Sequence, residues 1–179
     1  MNDRDSLPTR LVYGTSRLAA WLGGLVLCAL AGMSVISIAG RAGTSIGLAP
    51  VPGDFELVEA GTALAVFAFL PWCHLKRGHA MVDMFWGSFP PLMKRFINVL
   101  TELITLVIWV LLTWRMGVAM LDYKTNGEAT FILGMPVWWG YAVCMPPAIL
   151  GCIAYALRLL ETLGLARTPA GFENATGEH

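Results

Sequence analysis

Residues 70 to 91 read LPWCHLKRGHAMVDMFWGSFPP and bring Cys73, His74, His79 and Asp83 close together in sequence. These residue types can ligate metal, but the set is short of donors. A structural zinc takes four protein ligands and a catalytic one three; only His74, His79 and Asp83 lie near one another, with Cys73 at a helix end, and the chain has no C-x-x-C pair. A bis-histidine haem needs imidazoles facing each other across a bundle, and the one further histidine is His179. No serine or cysteine stands beside an organised base, and no glycine loop suits a phosphate. The stretch therefore predicts no enzyme, no metal and no cofactor in this chain.

Three acids raise a different chemistry. Glu56 and Glu59 are three residues apart, so a helix would set them on one face toward a common neighbour. Arg41 or a cation of a partner protein would serve, and a solvated acidic helix start is the alternative reading of both. Glu102 lies seven residues past Arg95, about 10 Å along a helix, inside an apolar run. An acid at that depth is costly against lipid and should face protein, water or a cationic partner. A proton or ion relay would need further ionisable groups at similar depth, and none is evident in the other apolar runs.

The elements that must carry these residues follow from composition. Hydrophobic residues are 56% of the 179 and charged residues 13%, well to the apolar side of an ordinary soluble domain. Apolar runs at 18–39, 55–75, 96–114 and 135–157 are each long enough to cross a bilayer core, which takes about 20 helical residues. The expected fold is an all-α membrane protein with four transmembrane helices in one domain spanning 1–179. The first run is too long for the apolar region of a signal peptide and is expected to be retained. Cys28, Cys73, Cys144 and Cys152 lie within or at the ends of apolar runs and read as small buried hydrophobes. Formal net charge is zero, so no nucleic-acid partner is expected.

Lysine and arginine set the orientation. Arg4, Arg10, Arg17, Lys76, Arg77, Lys94, Arg95, Arg158 and Arg167 fall in the tails and the second connection, against Arg41, Arg115 and Lys124 in the other connections. Both termini, and the opening stretch, are expected on the cytoplasmic side. If residues 79–89 are helical, Val82, Phe85, Trp86 and Phe89 form one apolar stripe, while His79 and Asp83, at i and i+4, can pair on another face. The stretch then predicts an amphipathic arm lying in the cytoplasmic-side interface between helices two and three.

Small residues such as Gly23, Gly24 and Gly32 predict close helix approach along helix one. Pro136 suits the first turn of helix four; Trp138, Trp139 and Tyr141 form an aromatic belt, and Pro146 and Pro147 predict a kink. The polar tail over 168–179 reads as flexible, and no inverted repeat is visible.

In order and spacing, VPGDFELVEAG, LPWCHLKRGHAMVDMF and FILGMPVWWGY resemble the DctQ-type small membrane subunit of TRAP transporters, the tripartite ATP-independent periplasmic carriers, over roughly residues 18 to 160. The family often has PYCQ where this chain has PWCH. The resemblance implies a scaffold subunit, bound in the inner membrane of a bacterium or archaeon to a large DctM-type membrane subunit. That large subunit would carry the sodium and substrate sites. A periplasmic binding protein would deliver an organic acid such as a carboxylate, and an ion gradient, usually sodium, would drive uptake. By resemblance Arg41 closes the first helix, and Glu56 and Glu59 belong to the acidic start of the second. Gly78, His79 and Asp83 match a G-H-x-x-V-D signature, and Pro136 and Trp138 match the fourth-helix opening. All of these, with Glu102, are expected as structural or interface positions, none as catalytic ones. The competing expectation is an autonomous small transporter or channel that uses Glu102 and the Pro146–Pro147 kink.

Overall fold

A computed structural model of the full chain describes residues 7–76 and 90–165. The expected arm over 79–89, with Gly78, His79 and Asp83, and the tail over 168–179 lie outside the described residues.

Four long helices carry the described chain: α1 over Leu7–Ala42, α2 over Asp54–Leu75, α3 over Pro91–Asn126 and α4 over Trp138–Thr162. All four are long and apolar enough to cross a membrane. The described residues contain no strand, only an isolated bridge between Ala129 and Pro136. α1 and α3 are 36 residues each, about 54 Å at 1.5 Å per residue, against a hydrocarbon core of about 30 Å. Apolar windows find the lipid-soluble middle of such helices and miss their polar extensions. Accordingly α1 starts well before residue 18 and α3 runs past residue 114 to include Arg115, Asp122 and Lys124.

Local chemistry fixes the ends. Pro90 is extended and Pro91 takes the first turn of α3, where a missing N–H costs nothing. Gly127 ends that helix in the left-handed conformation at φ 68°, its N–H donating to the Tyr123 carbonyl at 3.1 Å. Asp54 and Glu56 occupy the first turn of α2, where the helix dipole favours negative charge. Pro136, expected inside the first turn of α4, instead lies before the helix in the bridge with Ala129. Its carbonyl accepts from Trp139 at 3.1 Å, so the chain tightens into a turn ahead of Trp138. α4 runs through Pro146 and Pro147 without interruption.

The helices pack in the lateral order α1, α2, α4, α3, with α1 also touching α4. Small residues set the α1–α2 approach: a Cβ on Gly23 would lie 3.0 Å from that of Ala68, and one on Gly61 would overlap the Leu30 side chain. Gly24 and Gly32, by contrast, face open space. The outward faces of α1 and α3 are apolar, with Leu18, Trp21, Leu22 and Leu25 exposed on one and Leu103, Val107, Ile108 and Leu111 on the other. Water would leave these faces unburied; lipid or another apolar helix solvates them.

The topology defines two ends. The termini end holds the start of α1, the end of α2, the start of α3 and the end of α4. The loop end holds the α1–α2 and α3–α4 connections.

Candidate functional site

At the loop end, the carboxylate of Asp54 ties α2 to α1. Its Oδ2 accepts from Ser37 Oγ and from Arg41 Nη2, each at 2.5 Å, and the Arg41 guanidinium lies 5.3 Å from the Phe55 ring centroid. Arg41 thus pairs with Asp54, and neither Glu56 nor Glu59 receives it. The reason is register: Asp54 opens α2 directly beside the last turn of α1. Glu56 turns the other way. Its two oxygens accept the backbone N–H groups of Ile132 at 2.8 Å and Leu133 at 3.0 Å, satisfying donors of the α3–α4 connection that no helix or strand would satisfy. Gly53 lets Leu133 come close, since any Cβ there would sit 2.4 Å from Leu133 Cγ, and its φ of 75° suits glycine.

Glu56 and Glu59 do share a neighbour, which is a space. A cavity of about 670 Å³ lies between α2, α3, α4 and the α3–α4 connection. Both acids line it together with Glu128, the stacked rings of Tyr123 and Tyr141 at 5.3 Å, and Pro136, while Phe67, Met116 and Cys144 form apolar wall. Trp138 lies beside this region, 5.2 Å from Lys124 Nζ across its ring.

The termini end is closed. His74 Nε2 donates to Glu102 Oε2 at 2.6 Å, and only 9% and 13% of these side chains are exposed. The acid that the sequence leaves seeking a cation therefore finds a histidine from the end of α2. The His74 ring lies 4.0 Å from that of Tyr155, which stacks on Trp109 at 5.0 Å, and Trp109 meets Phe67 edge-on at 5.5 Å. Trp109 Nε1 donates to the Ala148 carbonyl at 2.9 Å. Gly151 leaves room for that indole: a Cβ there would be 2.2 Å from Nε1. Beside this column, Tyr13 shares its O–H between both oxygens of Glu161 at 3.1 Å each, and Glu161 accepts from Arg158 Nη1 at 2.6 Å. Tyr13 and Arg158 are buried. At the edge of this end Lys76 lies over the Trp72 ring at 5.4 Å; burial, and then the Arg17 guanidinium, hold its ammonium below the usual lysine range.

The structure thus brings Glu102 into one cluster and gathers Glu56, Glu59 and Pro136 around another, with Trp138 adjoining. Arg41 belongs with Asp54 on the far side of α2. Sequence reading gives Asp54 only a place in the acidic start of helix two and does not single out Ser37, Tyr13, Trp109, Gly151, Tyr155 or Glu161. One signal was available: Arg158 and Glu161 stand at i and i+3, a spacing that pairs charges on a helix. Among the described residues no group of three or more His, Cys, Asp or Glu side chains could hold a metal ion.

Four apolar helices, outward faces suited to lipid and ionisable groups closed on one another inside define a multi-span α-helical membrane protein. A family model described as "Tripartite ATP-independent periplasmic transporters, DctQ component" matches residues 30–165, most of the chain. The chain belongs to the DctQ family, and so is a small membrane component of a TRAP transporter. None of the curated proteins and none of the solved structures compared with it matches.

Proposed function

We propose that this chain braces a large DctM-type membrane subunit in a secondary transporter that takes up an organic acid, such as a carboxylate, delivered by a periplasmic binding protein and driven by a sodium gradient. The sodium and substrate sites belong in the large subunit, and this chain needs no cofactor. The observation that carries a bracing role is the state of the two acids at the termini end of the bundle. Glu102 is closed by His74 and Glu161 by Tyr13 and Arg158. Neither acid, nor Pro146 or Pro147, lines the large cavity. That arrangement supports a rigid subunit over an autonomous channel built on Glu102 and the proline pair. The lysine and arginine distribution supports an inner-membrane topology with both termini, and an interfacial arm bearing Gly78, His79 and Asp83, on the cytoplasmic side. The loop end then faces the periplasm.

Reconstitution tests the proposal. Liposomes containing the large subunit, the binding protein and this chain should show sodium-driven uptake; omission of this chain should abolish it, and this chain alone should give no flux. Full uptake without it would refute the bracing role.

A further inference from the structure

The loop-end cavity has a chemistry that bracing alone does not use. Of the residues lining it, Glu56, Glu59 and Glu128 are charged, and no lysine or arginine is among them. Glu56 is committed to the amides of Ile132 and Leu133. Glu59 on α2 and Glu128 just past α3 are not: no ion pair among the described residues claims either. Nearby cations are engaged elsewhere, Arg41 with Asp54 and Lys124 over Trp138. The same cavity is lined by the stacked phenol rings of Tyr123 and Tyr141 and by the apolar side chains of Phe67, Met116 and Cys144. A cavity that combines acids, aromatic rings and apolar side chains in its lining matches a side chain with an apolar stem and a cationic head, which can lie along the rings and pair at its tip. The walls are set beforehand, because Glu56 fixes the α3–α4 connection to α2 and the Ala129–Pro136 bridge holds that connection closed.

We propose that this cavity is a docking pocket for a lysine or arginine side chain of a protein partner in the assembled transporter, with Glu59 and Glu128 as its counter-ions. The inference rests on the reading of this chain as a subunit of a larger complex. A phospholipid amine is the poorer occupant, since its phosphate would bring further negative charge beside three carboxylates.

The test starts from the complex captured on tagged wild-type chain in native membranes. Absence of any membrane partner there would remove the reading itself, and the pocket with it. Given the partner, Glu59→Gln/Glu128→Gln should lower its retention at least tenfold, and Glu59→Lys at least as much, with the melting temperature of the isolated chain unchanged. In a second arm, Glu59→Cys should react with a cationic thiosulfonate reagent in the isolated chain and be protected at least tenfold in the complex, as read from the modified peptide. Full retention by both charge variants, or equal labelling in the two states, would overturn the pocket while leaving the subunit reading intact. Protection reproduced by ethanolamine-lipid vesicles without partner would overturn it in favour of a lipid occupant.

Discussion

Replacing Gly151 by alanine should damage this protein more than its size suggests. The added Cβ would stand 2.2 Å from Trp109 Nε1, with the ring atoms Cε2 and Cζ2 at 2.4 and 2.6 Å. Ordinary contact begins near 3.4 Å, so the indole must retreat by roughly an ångström. It has little room to do so, because it is 5% exposed and lies between Tyr155 and Phe67. The same retreat stretches the 2.9 Å bond from Nε1 to the Ala148 carbonyl beyond hydrogen-bonding reach. Overpacking of this kind costs about 1–3 kcal/mol, and the lost hydrogen bond adds about 0.5–1.5 kcal/mol. Alanine's better helix propensity returns about 1 kcal/mol. Gly140→Ala supplies the control on the same helix, since its Cβ would meet only the Ala60 Cβ at 4.0 Å. The two variants should therefore differ by about 2–4 kcal/mol, roughly 30-fold or more in the unfolding equilibrium. Reversible unfolding of the purified chain in mixed micelles of increasing dodecyl sulfate fraction measures this difference. Trp109→Leu should recover a large part of the Gly151→Ala loss in a double-mutant cycle, because it removes the ring that collides. Equal midpoints for Gly151→Ala and Gly140→Ala would show that the Trp109–Tyr155 column is not packed as described.

His74→Ala should cost about 3–5 kcal/mol by stripping the imidazole from the Glu102 carboxylate, whereas His74→Leu/Glu102→Leu should cost less; melting curves in detergent give the order, and a harmless His74→Ala would refute a buried pair. Glu56→Ala should free the amides of Ile132 and Leu133, which the carboxylate now holds; their hydrogen exchange should accelerate at least tenfold, and unchanged protection would count against the clamp. At the α1–α2 junction, Arg41→Ala should cost under about 1 kcal/mol because the side chain is 47% exposed. Asp54→Ala should cost more, since it also strips the partner from the fully buried Ser37; micelle unfolding of both variants checks the order.

The helices are legible in the sequence because lipid imposes a single demand, a continuous apolar run, and each run in this chain meets it. Glu102 is legible as a buried acid needing a partner for the same reason. Its partner is harder to read because depth measured from the nearest charge is the wrong ruler. Counted from Arg95, Glu102 lies about 10 Å along its helix, whereas His74, two residues before Lys76 and three before Arg77, counts as near the surface. In the bundle α3 begins at Pro91, and its first turns run past the end of α2, so the eleventh residue after that start meets the penultimate residue of α2. The early start of α1 does the same for Tyr13 and Glu161, and the reach of Glu56 to residues 132 and 133 crosses more than seventy positions of sequence. Such pairings depend on the stagger of helices, which apolar periodicity leaves open. They also differ between the two ends in a way that bears on assembly. At the termini end, among the described residues, Glu102 is hydrogen-bonded to His74 and Glu161 is paired with Arg158. At the loop end Asp54 and Glu56 are engaged, yet Glu59 and Glu128 line a preformed cavity with no ion pair to a cation among the described residues. The acids inside the bundle are thus engaged at the termini end, while at the loop end two exposed carboxylates share one cavity without an ion pair among the described residues, which is where a partner's basic side chain gains most by docking.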